Sequence, residues 1–582
     1  MKGDTKGAGS MKKKIPVIIA VVLILITVGA CGAMQLLEKY SYSKERADLN
    51  EYFGVESENE AAVLLQDELL DIKAQIKDGR CYLELNDVQE LLNDRFFADA
   101  EGYLIYTLPD DIIMTQAGST TVSTGYYTTG EATADAGYVL SYYEEEGEGR
   151  RLYVALDFVK QYTNFGYTLF TEPNRVQLET AWEEQQAAEI KKDTQVRYQG
   201  GVKSDVLEEV KKGDKVVVLE EMENWSKVKT TDSIIGYVEN KRLGNKHAET
   251  PDAVVDYLEP EYTSQTREHK INLAWHQVTT QAANSTFPGV LSAAKGVNVI
   301  SPTWYSLSDN MGAFTNIASS DYVNSAHQMG LEVWGLVDNF NTDVDTGTVL
   351  GALSSRSTLI RGLVQEAQTR GLDGINIDFE NLSDSAGEPF VEFLRELSIL
   401  CRANGIVLSV DNYVPKGYSS HYNRREQGVV ADYVIIMGYD EHWGGGGVAG
   451  SVASIDFVEE GIVNTLAEVP AKKVINAVPF YTRIWKTVDG QVTSEAVGMD
   501  TAQAFLDKNG VTAVWDEGTC QNYAEFTADD GSFYQVWLED EQSLAVKLNI
   551  MQMNELAGIA EWKLGFERAS VWDVIVDAGF SR

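Results

Sequence analysis

Between positions 373 and 380 the chain reads Asp373-Gly374-Ile375-Asn376-Ile377-Asp378-Phe379-Glu380, an alternation that ends in two carboxylates. Successive side chains of a β-strand point to opposite faces. Asn376, Asp378 and Glu380 therefore share one face, and Ile375, Ile377 and Phe379 the other. Asp378 and Glu380 then stand roughly 6–7 Å apart at Cβ. Two carboxylates so close repel, which raises the pKa of one and equips it as a general acid. The bland alternative is an acidic strand end that binds a divalent cation or sits in solvent. The alternation lacks the glycine and loop of an EF-hand.

Such a pair needs a rigid frame. From about residue 261 to the end, strand-like runs recur at 271–278, 296–304, 331–339, 374–381, 406–414, 433–440, 474–482 and 558–565. Amphipathic helical stretches lie between them, such as 355–371, 389–405 and 456–469. Eight β/α alternations predict an α/β fold, a (β/α)8 TIM barrel over 262–582, with an α+β insertion at about 485–540. Barrels of this kind carry reactive groups where strands end at the C-terminal face. The carboxylate pair ends the fourth strand.

The octapeptide resembles the DGxDxDxE signature of glycoside hydrolase family 18, the chitinase family. Met437-Gly438-Tyr439-Asp440 is similar to the family's MxYD, and Pro479-Phe480-Tyr481 to its seventh-strand segment. Val536-Trp537-Leu538-Glu539-Asp540 with Ser543 and Lys547 is similar to its VWYDDxxSxxxK. Gly558 to Trp562 resembles its last strand with the floor tryptophan. The resemblance implies a retaining mechanism in which the substrate's own 2-acetamido oxygen attacks C1. Glu380 would be the acid and base, Asp378 would orient the acetamido nitrogen, and Tyr439 would bond the acetamido oxygen. Trp562 would stack under the sugar. Asp440 and Tyr481 would line the cleft, and Trp304, Trp443 and Trp485 are candidate stacking platforms. Asp373, with Gly374, reads as structural. Asn376 departs from the usual Asp, so cycling of Asp378 between two acidic partners is in doubt. DGINIDFEN looks like the spore-cortex and cell-wall N-acetylglucosaminidase subgroup.

Upstream, the 582 residues carry 48 Lys plus Arg against 88 Asp plus Glu, a net charge of −40. That argues against a general nucleic-acid partner, because phosphates repel such a surface. Residues 1–14 alone hold five Lys and one Asp, a basic cytoplasmic tip of net +4. The uncharged run 15–34 that follows is long enough to cross a bilayer, and the basic flank places everything after it outside. A transmembrane signal-anchor is the leading expectation. A lipoprotein signal ending at Cys31 and a cleaved secretory signal remain open. All three predict an exported body, at a Gram-positive-type cell surface. Residues 36–55 read as a charged stalk, and 56–185 as a small α+β stalk domain. This domain resembles the N-terminal domain of copper amine oxidases and implies no copper. Residues 192–245, with Gly213-Asp214, Trp225 and Gly236-Tyr237-Val238, resemble a bacterial SH3-like domain, a small all-β barrel. Trp225 and Tyr237 are candidates for a peptide groove or simply barrel core. Four scattered Cys and six His without HExxH form no disulfide framework or metal motif, so no cofactor is expected.

Together these features predict a surface-anchored glycosidase acting on β-1,4-linked N-acetylglucosamine polysaccharide, foremost peptidoglycan, with wall peptide as a partner for the SH3-like domain. The alternatives are a chitinase and a non-catalytic glycan-binding protein.

Overall fold

Eight strands close the C-terminal barrel: β1 (Ile271–His276), β2 (Val299–Leu307), β3 (Glu332–Asp338), β4 (Gly374–Asp378), β5 (Val407–Tyr413), β6 (Tyr433–Met437), β7 (Val474–Pro479) and β8 (Gly558–Trp562). Each pairs in parallel with its neighbours, and β8 returns to β1. The structure is a computed structural model that describes residues 9–128, 130–146 and 149–581. The first eight residues of the expected basic tip lie outside the described residues. The described chain forms two compact units, one of residues up to Asn93 with Glu144–Glu259, the other of Asp94–Tyr143 with Pro260 onward.

The barrel interior is built in levels by the two-residue period of the strands. At the bottom, the Trp334 and Tyr433 rings stack 5.4 Å apart. A Cβ at position 374 would sit 2.6 Å from the Trp334 indole, so only glycine leaves room for that ring. Asp373, at the start of β4, accepts from the Val333 backbone N–H at 2.8 Å and lies 2.8 Å from His327 Nε2. It ties β4 to β3 far from the mouth. Above these come Trp275, Leu336, Ile435 and Ala477, all buried.

The helices that flank β4 are α1 (Leu353–Arg370) before it and α2 (Gly387–Asn404) after it. Next comes α3 (Arg424–Val430), between β5 and β6. Between β7 and β8 an α+β insertion runs as a five-stranded antiparallel sheet from Tyr481–Val488 to Phe533–Leu538, with helix Met499–Lys508. It leads into α4 (Glu541–Met553), where the Asp540-Ser543-Lys547 motif takes a structural role. Asp540 and Ser543 form a reciprocal capping box at the helix start. Lys547 donates to both oxygens of the fully buried Glu539, at 2.8 and 2.7 Å.

The stretch expected as one domain, 56–185, divides in space. Residues 94–143 leave it and form a five-stranded antiparallel sheet, Phe96–Ala98 through Ala132–Asp135, within the barrel's unit. The cause is burial. Phe97, Ile105, Ile112 and Tyr127 join the hydrophobic cluster of the barrel's outer layer. Polar groups match as well. Thr107 donates to Glu392, and Tyr127 donates to Glu396 at 2.6 Å. Arg95 pairs with Glu426 at 2.9 Å. Helix α1 begins after Ala352, which has no side chain to cap it. Asp99 caps it instead, accepting from Leu353 N–H at 2.9 Å, and Glu101 accepts from Ser354 N–H at 3.0 Å. Asp99→Ala should cost roughly 1–2 kcal/mol by leaving that helix start uncapped. Asp99→Asn should recover most of it. Urea unfolding of both variants measures the difference.

In the other unit, the rest of 56–185 builds a seven-stranded sheet that includes Glu60–Leu65, Glu68–Lys77 and Arg80–Glu84. A second seven-stranded antiparallel sheet, from Gln185–Ile190 to Leu243–Glu249, follows. Residues 41–55, expected as a stalk, pack instead. Ala47 N–H donates to Val206 O at 3.0 Å, and Phe53 is buried among Val196, Leu207 and Val228. The charged residues of that stretch cover two apolar anchors, which composition averages out. The first described element is helix Gly9–Tyr40, whose segment Ile18–Tyr40 holds an 18-residue stretch of mean hydropathy 2.4 with none of it buried. It is long and apolar enough to cross a membrane.

Candidate active site

The inward face of β4 rises from Gly374 through Asn376 to Asp378, and the chain leaves the strand with Glu380 at the mouth. Asn376 is fully buried and fixed by four bonds. Its Oδ1 accepts from Trp275 Nε1 at 3.0 Å and Ser301 Oγ at 3.2 Å. Its Nδ2 donates to Ser409 Oγ at 3.0 Å and Asp411 Oδ1 at 2.9 Å. Asn376 is thus a structural bridge below the mouth, out of reach of a ligand in this structure.

Asp378 is also buried, and its Oδ1 has no hydrogen-bond partner. Burial, and then the charges of Asp411, Glu380 and Asp338, hold its pKa well above the usual carboxylate range. Asp338 ends β3 directly beside Asp378. Its own pKa is raised by burial, against bonds from Ser306 Oγ at 2.6 Å and Phe340 N–H at 3.1 Å. Glu380 is half-buried. Burial raises its pKa and Asp440 and Asp338 add to this, while a bond from Tyr413 Oη at 2.5 Å opposes it. Asn339 holds the Glu380 backbone from both sides. Its Oδ1 accepts from Glu380 N–H at 2.8 Å, and its Nδ2 donates to Glu380 O at 2.9 Å.

Tyr439, half-buried, follows β6. Burial, then Tyr481, Asp378, Asp411 and Glu380, raises its pKa well above that of free tyrosine. Its ring meets Tyr481 edge-on at 6.1 Å. Tyr481 Oη donates to Asp440, which holds a left-handed backbone, φ 59°. Trp562 ends β8 and packs edge-on to Trp275 at 6.0 Å, closing the floor. The structure therefore brings Asp378, Glu380, Tyr439, Asp440, Tyr481 and Trp562 to one mouth.

Two of the three candidate platforms fall elsewhere. Trp304 is 1% exposed and donates to Asn284 Oδ1 at 2.8 Å, in the layer between barrel and helices. Its place on β2 alternates it outward. Trp485 is equally buried and donates to Gly450 O at 2.8 Å. Trp443 alone of the three is open, 56% exposed, ahead of the run Gly444 to Gly447. Among the described residues, no group of three or more His, Cys, Asp or Glu is arranged to hold a metal ion. Trp225 and Tyr237 are both half-buried, and Tyr237 lines a hollow with Tyr52, Tyr198 and Lys227.

Asp338, Asn339, Asp411 and Tyr413 are the site residues that the sequence reading passes over. The signal for two of them is present in the fifth strand, where Val407, Ser409, Asp411 and Tyr413 alternate inward beside β4.

Residues 296–567 match the profile of the glycosyl hydrolases family 18, and residues 192–244 that of the bacterial SH3 domain. The chain carries a glycoside hydrolase family 18 domain and, upstream of it, a bacterial SH3 domain. Among curated proteins it is similar to the cortical fragment-lytic enzyme of Bacillus anthracis, 27% identical over 248 residues. That match takes in 41% of this chain and 57% of the relative. The Bacillus subtilis (strain 168) protein of the same description is 28% identical over 229 residues, 38% of this chain and 52% of the relative. The chain thus spans little more than half the length of these relatives. The crystal structure of the Bacillus cereus spore cortex-lytic enzyme SleL superposes with TM-score 0.49 and 22% identity, over 57% of this chain and 78% of that one.

Proposed function

We propose that this protein is a membrane-anchored glycosidase that cleaves β-1,4-linked N-acetylglucosamine glycans, foremost peptidoglycan, outside the cell. The observation that carries the reading is the carboxylate pair at the end of β4, buried Asp378 and half-buried Glu380, with Tyr439 and Trp562 at the same barrel mouth. Both carboxylates rise from one strand, so they approach the scissile bond from one side. The usual scheme sets two carboxylates on opposite faces of the bond. A substrate acetamido group supplies the missing nucleophile. Its oxygen attacks C1, the C1–oxygen bond to the leaving sugar breaks, and Glu380 gives its proton to that oxygen. The oxazolinium ion so formed is opened by water, whose proton Glu380 takes back, with retention at C1. Holding nucleophile and carbon together in one molecule removes the entropy of bringing them together.

Asp378 accepts from the acetamido N–H and faces the positive charge that grows there. Tyr439 donates to the acetamido oxygen and aims it. Trp562 offers its ring to the apolar face of the sugar, and Trp443 offers an exposed ring at the rim. The SH3 domain holds wall peptide, and helix Gly9–Tyr40 holds the enzyme at the membrane. The names of the curated relatives, lytic enzymes of cortical fragments, support a wall glycan over chitin.

The test is mass spectrometry of products from detergent-solubilised full-length protein on peptidoglycan and on chitin oligomers. Fragments ending in reducing N-acetylglucosamine from peptidoglycan support the reading. Cleavage of chitin oligomers alone, or binding of both without products, would replace it. Tyr413→Phe gives a second check. Its hydroxyl favours ionised Glu380, so its loss should raise the Glu380 pKa further. The acid then stays protonated to higher pH, and the alkaline limb of kcat/KM should move up.

A further inference from the structure

Beside the floor tryptophan stands a cation that the reaction as written does not use. Lys563 follows Trp562 directly, at the top of β8. Backbone bonds fix that corner. The Trp562 carbonyl accepts from Phe480 N–H at 2.7 Å, and Leu564 N–H donates to Trp275 O at 3.0 Å. The lysine is thereby held where β8 meets β1. Its ammonium group donates to Gln277 Oε1 at 2.5 Å, just past the end of β1, and stands 4.4 Å from the centre of the Phe566 ring. Gln277 is exposed and Lys563 half-buried, and burial alone lowers the lysine pKa. Among the described residues no carboxylate pairs with it. Taking a charge partly out of water is costly without an opposite charge to meet it. Buried lysines elsewhere in this unit end on fixed acceptors. Lys547 ends on Glu539, and Lys473 on the Ala431 carbonyl at 2.7 Å. Lys563 ends on a neutral surface side chain that can turn away. It thus offers an uncompensated positive charge at a mouth that also holds Asp338, Asp378, Glu380 and Asp440.

The place of this charge along a glycan follows from the barrel. Glu380, after β4, protonates the oxygen of the leaving sugar. In the closed order of strands β8 and β1 lie across from β4. Lys563 therefore faces the other side of the reacting N-acetylglucosamine, where its non-reducing neighbour sits. In chitin that neighbour is neutral. In peptidoglycan it is a muramyl sugar, whose 3-O-lactyl group ends in a carboxylate or, through an amide, in a peptide with carboxylates of its own.

We propose that Lys563 is a specificity-determining residue: its ammonium group binds a carboxylate on the sugar next to the reacting one, and so selects wall glycan over neutral glycan. This rests on the glycosidase reading above. Gln277 gives up its bond as the carboxylate arrives, and the Phe566 ring keeps the ammonium group in place. In an alternating strand, a muramyl sugar against Lys563 leaves N-acetylglucosamine over Trp562, with its acetamido group toward Asp378 and Tyr439.

The test compares peptidoglycan strands stripped of peptide by an amidase, which carry free lactyl carboxylates, with the same strands after conversion of those groups to neutral amides. For the full-length wild type, kcat/KM on the free-acid strands should exceed that on the neutral strands about ten-fold, chiefly through KM. Lys563→Gln should treat the two alike, and Lys563→Arg should keep most of the preference. Gln277→Glu, at an exposed position, gives the lysine an acid of its own and should also erase the preference. Strands that retain peptide, with free and with amidated carboxylates, run in parallel. Discrimination confined to them assigns the carboxylate to the peptide, and discrimination among stripped strands assigns it to the lactyl group. A wild type indifferent to amidation in both sets overturns the proposal, and so does an equal preference in wild type and Lys563→Gln. If Lys563→Gln does not fold, Gln277→Glu decides, and an undiminished preference counts against Lys563.

Calorimetric binding of the same strands separates this role from the glycosidase reading. If the wild type cleaves none of them, that reading fails. Tighter binding of free-acid strands by the wild type, lost in Lys563→Gln, would still uphold Lys563. Equal binding of free and amidated strands, or none, would refute it.

Discussion

Glu380→Gln should abolish glycan cleavage while leaving the protein folded. The expected loss is at least about 10²–10⁴-fold, the range for a positioned acid–base group. In the proposed reaction that group serves both halves, so nothing in the second half compensates. The surroundings argue that only the proton is lost. Glu380 is held through its backbone by Asn339, on both N–H and C=O, and neither bond changes on substitution. Tyr413 Oη can donate to the amide oxygen of Gln as it does to the carboxylate. Removal of a half-buried acid also lifts repulsion from Asp411, whose pKa Glu380 helps to raise. The Tm of Glu380→Gln should therefore equal or exceed that of the wild type, with binding of glycan retained. The measurement pairs reducing-end release with calorimetric binding of the same glycan. Equal release by variant and wild type would remove Glu380 from the chemistry altogether.

What could be seen in the sequence was whatever a short period encodes. The β4 alternation sets Asn376 and Asp378 inward without any knowledge of the partners, and the structure shows both there. The same period runs through the fifth strand, but Ser409, Asp411 and Tyr413 acquire meaning only once β5 is known to lie beside β4. That adjacency is a property of the closed sheet. Trp304 shows the reverse error. Aromatic type suggested a platform, whereas its strand position turns it away from the mouth. Asn376 shows a third case. Its identity marked a departure from the family pattern, but its function as a bridge depends on four groups from three other strands.

The longest-range feature, the docking of 94–143 on the barrel, carries the second large expectation. A fragment of residues 260–582, which looks from the sequence like a complete barrel, should fail to fold as a cooperative unit. Phe97, Ile105, Ile112 and Tyr127 are each nearly or fully buried in the cluster shared with the barrel's outer helices. Burial of such side chains is worth about 1.5–3 kcal/mol each. Four of them match in scale the ~5–15 kcal/mol that separates a folded domain from its unfolded chain. Their loss would also uncover charges that now lie inside. Arg356 and Glu396, paired at 2.8 Å, are both without solvent exposure. Glu396 would lose Tyr127, Glu392 would lose Thr107, and Glu426 would keep Arg395 but lose Arg95. Helix α1, which feeds β4, would lose its cap at Asp99. The damage therefore falls on α1 and α2, the two helices that bracket the carboxylate strand, so activity and fold should fail together. Joining 94–143 ahead of 260–582 through a flexible linker should restore a single thermal transition. Near-ultraviolet circular dichroism during heating reads both fragments. A sharp transition of 260–582 alone, at the Tm of the joined fragment, would show that the docked sheet is an ornament to the barrel and that the helices around β4 stand without it.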